Sequence, residues 1–247
     1  GFPALDRVTF RFLDDAQQAT EELLSGGCDL LTRDLIGDVP PESLLQGVDA
    51  GQARLISWSG SEWEHLDFGI EPATWTEQPV FFADARVRQA VAQCTDRDRI
   101  ARDAFPYAEA VLAHSYVPPQ HPVYAAEQIR FWPYDPAAGR ALLEEAGYAD
   151  TDGDGILEAQ AVSGIASGTP LSVTLLTTAG DPPRQRASTI LDENLAACGI
   201  ALATEELPPE VFYADGPDGP VFGRNFELAL FSWLNGIDAP CDLYLSS

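Results

Sequence analysis

Three groups of residues in this sequence could do chemistry. The first is the acidic run Asp150-Thr-Asp-Gly-Asp-Gly-Ile-Leu-Glu158. It has carboxylates at positions 1, 3 and 5, glycine at 6 and a hydrophobic residue at 8, which is the first half of an EF-hand calcium loop. Hard oxygen ligands converging on a tight glycine turn suit calcium, so Asp150, Asp152, Asp154 and Glu158 are the candidate metal ligands. The glutamate such a loop carries at position 12 is missing, since Ala161 stands there. The same residues also make a good turn, because Asp side chains accept hydrogen bonds from their own backbone. The pattern favours the turn, and no cofactor other than calcium is expected.

The second group is the three histidines, His65, His114 and His121. They are the candidate general bases, but neither a GxSxG nor an HExxH motif accompanies them, and Gly153-Asp-Gly155 lacks the third glycine of a dinucleotide motif. No catalytic residue is assigned, and each histidine is expected to be structural. The third group is Cys28, Cys94, Cys198 and Cys241. With no CxxC spacing they do not read as a zinc or thioredoxin-like site. An even count fits two disulfides in an oxidising compartment. Four cysteines allow three pairings.

Hydrophobic periodicity places these residues on elements. Val8–Leu13 alternates like a half-buried strand, a helix capped by Asp14 or Asp15 runs to Leu24, and Cys28–Thr32 reads as a returning strand. A short helix near Pro41–Gln46 and a strand at Arg54–Ser57 follow. Trp63–Ile70 reads as a buried strand. Val87, Ala90, Val91 and Cys94 fall on one stripe of a helix over 85–94, and a second helix runs from about Thr95 to Ala104. Residues 106–133 are rich in Pro and Tyr and irregular. Asp135-Pro136 begins a helix that Gly147 ends. Strands at 171–178, 199–205 and 228–233 surround a helix at 184–197. The order predicts an α/β fold with a largely parallel sheet and flanking helices.

In such sheets ligands lie beyond the carboxyl ends of the strands. This points to Phe68 and Gly69, to Thr178, and to Trp233, Asn235 and Asp238, with Trp233 as an apolar platform. Cys94 and Cys198 both end helices that run back from that side, so these two are expected to pair at the far end of the sheet.

Composition excludes some partners. With 39 acidic and 14 basic residues the net charge is −25, which disfavours nucleic acid and anionic membrane surfaces. No run of about 18 apolar residues is present to span a bilayer. The chain opens Gly-Phe-Pro-Ala and contains no Met, so either its ends have been cut away or a secretion signal lies upstream.

Two blocks carry a resemblance. The segment Phe82-Ala-Asp-Ala-Arg-Val-Arg-Gln-Ala-Val-Ala-Gln-Cys-Thr-Asp-Arg-Asp-Arg-Ile100 is similar to the F-x-D-x-R-V-R-Q-A…D-R signature of family 5 bacterial solute-binding proteins. Tyr134-Asp-Pro136 with Ala141-Leu-Leu-Glu-Glu-Ala-Gly-Tyr148 resembles the family's second signature, and Ser25-Gly-Gly-Cys-Asp-Leu-Leu31 precedes both in the family's order. The resemblance implies periplasmic-binding-protein-like lobes joined by a hinge, with residues 1–60 in lobe I and 61–247 forming most of lobe II. It implies an extracytoplasmic, lipid-anchored component of an ABC importer that captures a peptide or sugar-like solute and is not an enzyme. Family members are about twice this length. Peptide-binding relatives place an Asp shortly after the tryptophan matching Trp233, to pair with the ligand's amino group; here Asn235 and Gly236 stand in that neighbourhood. The competing readings are a calcium-stapled structural or adhesion module and, behind it, a hydrolase.

Overall fold

The computed structural model describes residues 5–32, 35, 41–56, 62–71, 79–105, 112–119 and 121–236. The chain divides into two compact units, Gly1–Ser57 and Trp58–Ser247.

In the first unit, helix α1 (Ala16–Ser25) begins at Asp15, whose carboxylate accepts the Gln18 N–H, and ends at Gly26 with φ of 79°. Positive φ there is the usual helix stop that glycine takes without steric cost. Helix α2 covers Pro41–Asp49. The strands expected at 8–13 and 28–32 do not form, nor do residues 54–56 pair; Ser57 lies outside the described residues. Alternation makes a strand only where a neighbour completes the backbone ladder, and none is supplied by the described residues. Phe10 and Phe12 accordingly stay 81% and 95% exposed.

The second unit is built on a four-stranded sheet of order β1-β6-β4-β5. Its strands are β1 (Glu62–Phe68), β4 (Ser172–Thr178), β5 (Ala201–Leu207) and β6 (Leu228–Leu234). Strand β4 runs parallel to β5 and to β6, whereas β1 runs antiparallel to β6. The sheet is mostly parallel, and the fold is mixed α/β. Helices α3 (Ala85–Cys94), α4 (Arg97–Ala104), α5 (Pro136–Ala146) and α6 (Pro182–Ala197) flank it. The expected stripe of Val87, Ala90, Val91 and Cys94 is the buried face of α3. It joins Leu143, Leu191 and Leu195 against Val173, Leu175, Leu228 and Leu230 of the sheet. Each such aliphatic side chain contributes roughly 1.5–3 kcal/mol on full burial. On the opposite face Leu176, Ala229 and Phe231 meet Phe212 of the short helix α7 (Pro209–Phe212), with Val221 and Phe226.

A small hairpin, β2 (Tyr148–Ala149) and β3 (Glu158–Ala159), closes over the acidic run. It was too short to show periodicity in the sequence. Leu157 N–H donates to the Gly199 carbonyl and Leu171 N–H to the Leu157 carbonyl, which fixes the hairpin beside the starting ends of β4 and β5. Cys94 and Cys198 form a disulfide at this same far end. Gly139 lets α5 approach it, since a Cβ there would strike Cys94 Sγ and the Ala90 carbonyl. A second disulfide is not formed by Cys28, which is a free thiol; Cys241 lies outside the described residues.

Candidate functional site

The carboxyl ends of the parallel strands β4 and β6 bring Thr178 and Trp233 to one edge of the sheet. Because β1 is antiparallel, it is its amino end that joins them: Trp63 pairs with Trp233 and Glu62 with Leu234. Phe68 pairs with Leu228 at the start of β6, and Gly69 N–H donates to the Glu227 carbonyl. Phe68 and Gly69 therefore lie at the opposite edge, where Phe68 packs against Phe82 with ring centroids 5.2 Å apart. The expectation that all three strand ends share an edge fails for β1, since direction cannot be read from a strand's own alternation. Asp238 lies outside the described residues.

At the carboxyl edge, Trp233 is half-buried and meets Phe231 and Phe222 edge-on, with centroids 6.3 and 6.2 Å away. His65 sits between Trp63 and Phe231, at 4.3 and 4.4 Å. Its Nδ1 is 2.7 Å from the Phe231 carbonyl; a carbonyl can only accept, so Nδ1 carries the proton. The result is an aromatic ledge along one face of the β1–β6 pair.

Beside the ledge lies an ionic hub that the sequence did not single out. Arg184, in the first turn of α6, donates to Glu64 Oε1 at 2.8 Å, Glu64 Oε2 at 3.2 Å, Thr178 Oγ1 at 2.6 Å and Ser232 Oγ at 3.2 Å. Asp181, the α6 N-cap, is 3.3 Å from its other side. The Arg184 and Glu64 side chains are only 11% and 21% exposed. Burial pushes the Glu64 carboxyl up, and Arg184 pulls it only part of the way back. Burial also works against the Arg184 charge, but Glu64 and Asp181 more than offset it. Thr178 is thus engaged by protein. A glutamate inside the strand WEHLDF and an arginine just after a strand-to-helix turn were the available signals.

Asn235 is buried, and its Nδ2 donates in a short contact to the Tyr116 carbonyl, while its Oδ1 is buried without a partner. It ties the end of β6 to residues 112–119. The remaining histidines also sit in structural settings: His114 lies 3.5 Å from Arg97 and edge-on to Phe131, and His121 Nδ1 accepts the Val123 N–H.

The candidate metal ligands do come together. Asp150, Asp152, Asp154 and Glu158 each offer an oxygen within 4.8 Å of the others. Every one of these carboxylates is also a turn acceptor. Asp150 takes the N–H groups of Gly153 and Gly155, Asp152 that of Asp154, Asp154 that of Ile156, and Glu158 the N–H and hydroxyl of Thr151. This loop belongs to the far edge, away from the ledge.

The family model for bacterial extracellular solute-binding proteins, family 5 Middle, matches residues 1–246. The chain belongs to that family. This family 5 chain is 26% identical over 206 residues to the oligopeptide-binding protein AppA of Bacillus subtilis, an overlap covering 83% of the chain and 34% of AppA. Its fold is similar to the oligopeptide-binding protein of Thermus thermophilus crystallised with a pentapeptide (TM-score 0.71, 23% identity, 94% of this chain and 38% of that one). It is also similar to NikA of Brucella suis in complex with Fe(III)-EDTA (TM-score 0.69, 22% identity, 96% and 43%). The chain thus spans about a third of the length of the curated relative it matches.

Proposed function

We propose that this chain is the ligand-closing part of an extracytoplasmic solute-capture protein that takes up a peptide or sugar-like solute and passes it to the membrane subunits of an ABC importer. The observation that carries the reading is the family match over residues 1–246. In this reading residues 61–247 form most of lobe II and residues 1–60 contribute to lobe I. The solute is held by contact and hinge closure, without bond making or breaking. Lipid anchoring of the whole gene product belongs to the same proposal. Among the described residues no helix is long and apolar enough to cross a membrane.

The aromatic ledge of Trp63 and Trp233 is the surface on which the solute lies, with Asn235 behind it. Asn235 and Gly236 occupy the neighbourhood where peptide-binding relatives are expected to keep an acid for the ligand's amino group. The site therefore relies less on an amino terminus and more on stacking.

The test is a thermal-shift screen of the whole gene product against peptides, oligosaccharides, metal chelates and calcium. A solute at 100 times its dissociation constant stabilises by about 2.7 kcal/mol, a visible shift. A shift with one organic class and none with calcium supports capture. A shift with calcium alone moves the role to the acidic loop and to a structural module.

A further inference from the structure

We propose that Arg184 is the positioning residue of the aromatic ledge: its guanidinium clamps the ends of β1, β6 and β4 together and so sets how Trp63 and Trp233 stand to one another. The purpose it serves rests on the capture reading above, in which the solute lies on that ledge.

The ladder of the sheet is the first argument. Strands β1 and β6 pair over their whole length, from Phe68 opposite Leu228 to Glu62 opposite Leu234. The parallel pairing of β4 with β6 is shorter and ends with Thr177 opposite Leu230. There Thr177 Oγ1 donates to the Leu230 carbonyl at 2.8 Å. Residues 62–65 of β1 and 231–234 of β6 therefore form a two-stranded tongue that runs past the β4 ladder. A two-stranded ribbon twists more than the inner part of a sheet and is marginal by itself. This tongue carries Trp63 and Trp233.

The clamp is the second. Glu64 and Ser232 stand directly opposite one another in the tongue, and Arg184 reaches both. Its Nε and Nη2 donate to the two Glu64 oxygens at 2.8 and 3.2 Å, and Nη2 also donates to Ser232 Oγ at 3.2 Å. Nη1 donates to Thr178 Oγ1 at 2.6 Å, at the end of β4. One side chain thus bridges the tongue to β4 where backbone pairing stops. Successive residues of a strand point to opposite faces, so Glu64 and Ser232 project away from the face that bears their chain neighbours Trp63 and Trp233. Fixing the first pair fixes the second without touching a solute.

The clamp is itself held, which is the third. Asp181 accepts the Arg184 N–H at 3.1 Å with one oxygen, and its other oxygen lies 3.3 Å from Nη1. Pro182 and Pro183 follow it and fix φ at the start of α6. On the other face the tongue meets only rings: Phe222 lies against Trp233 and Phe212 against Phe231, with centroids 6.2 and 5.8 Å apart. Ring contacts accept a range of offsets, whereas a guanidinium fork on a carboxylate fixes direction as well as distance. Lysine, a point charge on a flexible stem, does not hold several acceptors in one plane.

The experiment uses the whole gene product labelled with fluorotryptophan, the two signals being assigned with Trp63→Phe and Trp233→Phe. Fluorine spectra are compared for the parent, Arg184→Lys, the double variant Glu64→Leu with Arg184→Met, and Phe68→Ala. The double variant removes both charges together, so its stability should largely recover. Phe68→Ala is destabilised at the opposite edge of the same strand. Both signals are expected to shift or split in Arg184→Lys and in the double variant, and to stay in place in Phe68→Ala. Unmoved signals in the first two, or equal movement in Phe68→Ala, overturn the proposal.

Titration calorimetry with the tripeptide Ala-Phe-Ala and with cellotriose reads the consequence. A probe that binds the parent is expected to lose about two- to tenfold in affinity in the double variant, the span that stacking contributes, although melting returns towards the parent. Undiminished affinity alongside moved signals overturns the positioning role and leaves capture standing. If neither probe binds the parent while both signals respond, capture on the ledge falls and the clamp stands.

Discussion

Trp63 stands directly opposite Trp233 across the antiparallel pair β1–β6. Directly opposed residues project from the same face of a sheet, so the first residues of one strand and the last of another form a single aromatic corner. Phe68, only five residues further along β1, is at the other edge. Trp233→Ala is expected to weaken binding of the captured solute several-fold through lost stacking. Phe68→Ala should cost about 2–4 kcal/mol of stability and leave affinity unchanged. Urea melts and titrations on the two variants check this, and an affinity loss in Phe68→Ala would move the site.

The Arg184–Glu64 pair should behave as a buried unit. Removing one partner leaves a desolvated charge, so Glu64→Leu or Arg184→Met alone is expected to destabilise by roughly 2–4 kcal/mol. The double variant should recover most of that loss. A double-mutant cycle in chemical denaturation gives the coupling; additive losses would show that the pair is not energetically linked.

Glu227 gives a pH dependence of known sign. Its Oε2 accepts the Thr174 N–H at 2.6 Å, extending the β4–β6 ladder. Burial raises its pKa, with the Thr174 contacts pulling only partly back. The folded state then keeps a proton that the unfolded chain has lost. This carboxyl's stabilising contribution is present below its ordinary pKa and disappears as pH rises through the folded value. Glu227→Gln retains an acceptor without the charge. It should melt above the parent at about pH 8 and together with it at about pH 3, as read by calorimetry across that range. A variant that melts below the parent at about pH 8 and together with it at about pH 3 would show that the carboxylate is needed ionised.

The Cys94–Cys198 bridge closes a separation of 104 residues. Chain-entropy reasoning gives about 4–5 kcal/mol for such a loop, so reduction should lower the melting temperature of the second unit substantially. Gly139→Ala is expected to destabilise the oxidised protein, because the added methyl meets Cys94 Sγ and the Ala90 carbonyl. Thiol titration with and without reductant, followed by melting, measures both effects; unchanged melting on reduction would make the bridge energetically idle.

The acidic loop separates turn from metal. Asp150→Ala deletes two acceptor bonds, to Gly153 and Gly155, and should cost about 1–2 kcal/mol in chelator. We propose calcium as the only cation the loop would hold. A calcium-dependent rise in melting temperature that disappears in Asp150→Ala would establish it, and an equal response of parent and variant would leave the loop as a turn.

Much of this was readable in the chain. Caps are local: Asp15, Asp84, Asp96 and Asp135 each accept a backbone N–H from the first turn they precede, and short-range chemistry is what sequence records; the helix expected from residue 184 begins instead at Pro182, capped by Asp181. The stripe on α3 and the two signature blocks likewise lie in contiguous residues. The far-end disulfide was also foreseeable, because both cysteines close helices that run back from the carboxyl edge.

What the sequence by itself determined was the family, the mixed α/β composition, the existence of the flanking helices and the turn chemistry of the acidic loop, all set by neighbours within a few positions. Only the tertiary structure decided the direction of β1, and with it that Trp63 and not Phe68 joins Trp233. It also brought Glu64 to Arg184 across 120 residues, and Thr178 and Ser232 to the same guanidinium. A strand's alternation tells which face is buried but is the same read in either direction. Which distant charges meet depends on that direction, so it could be seen only once the strands were paired.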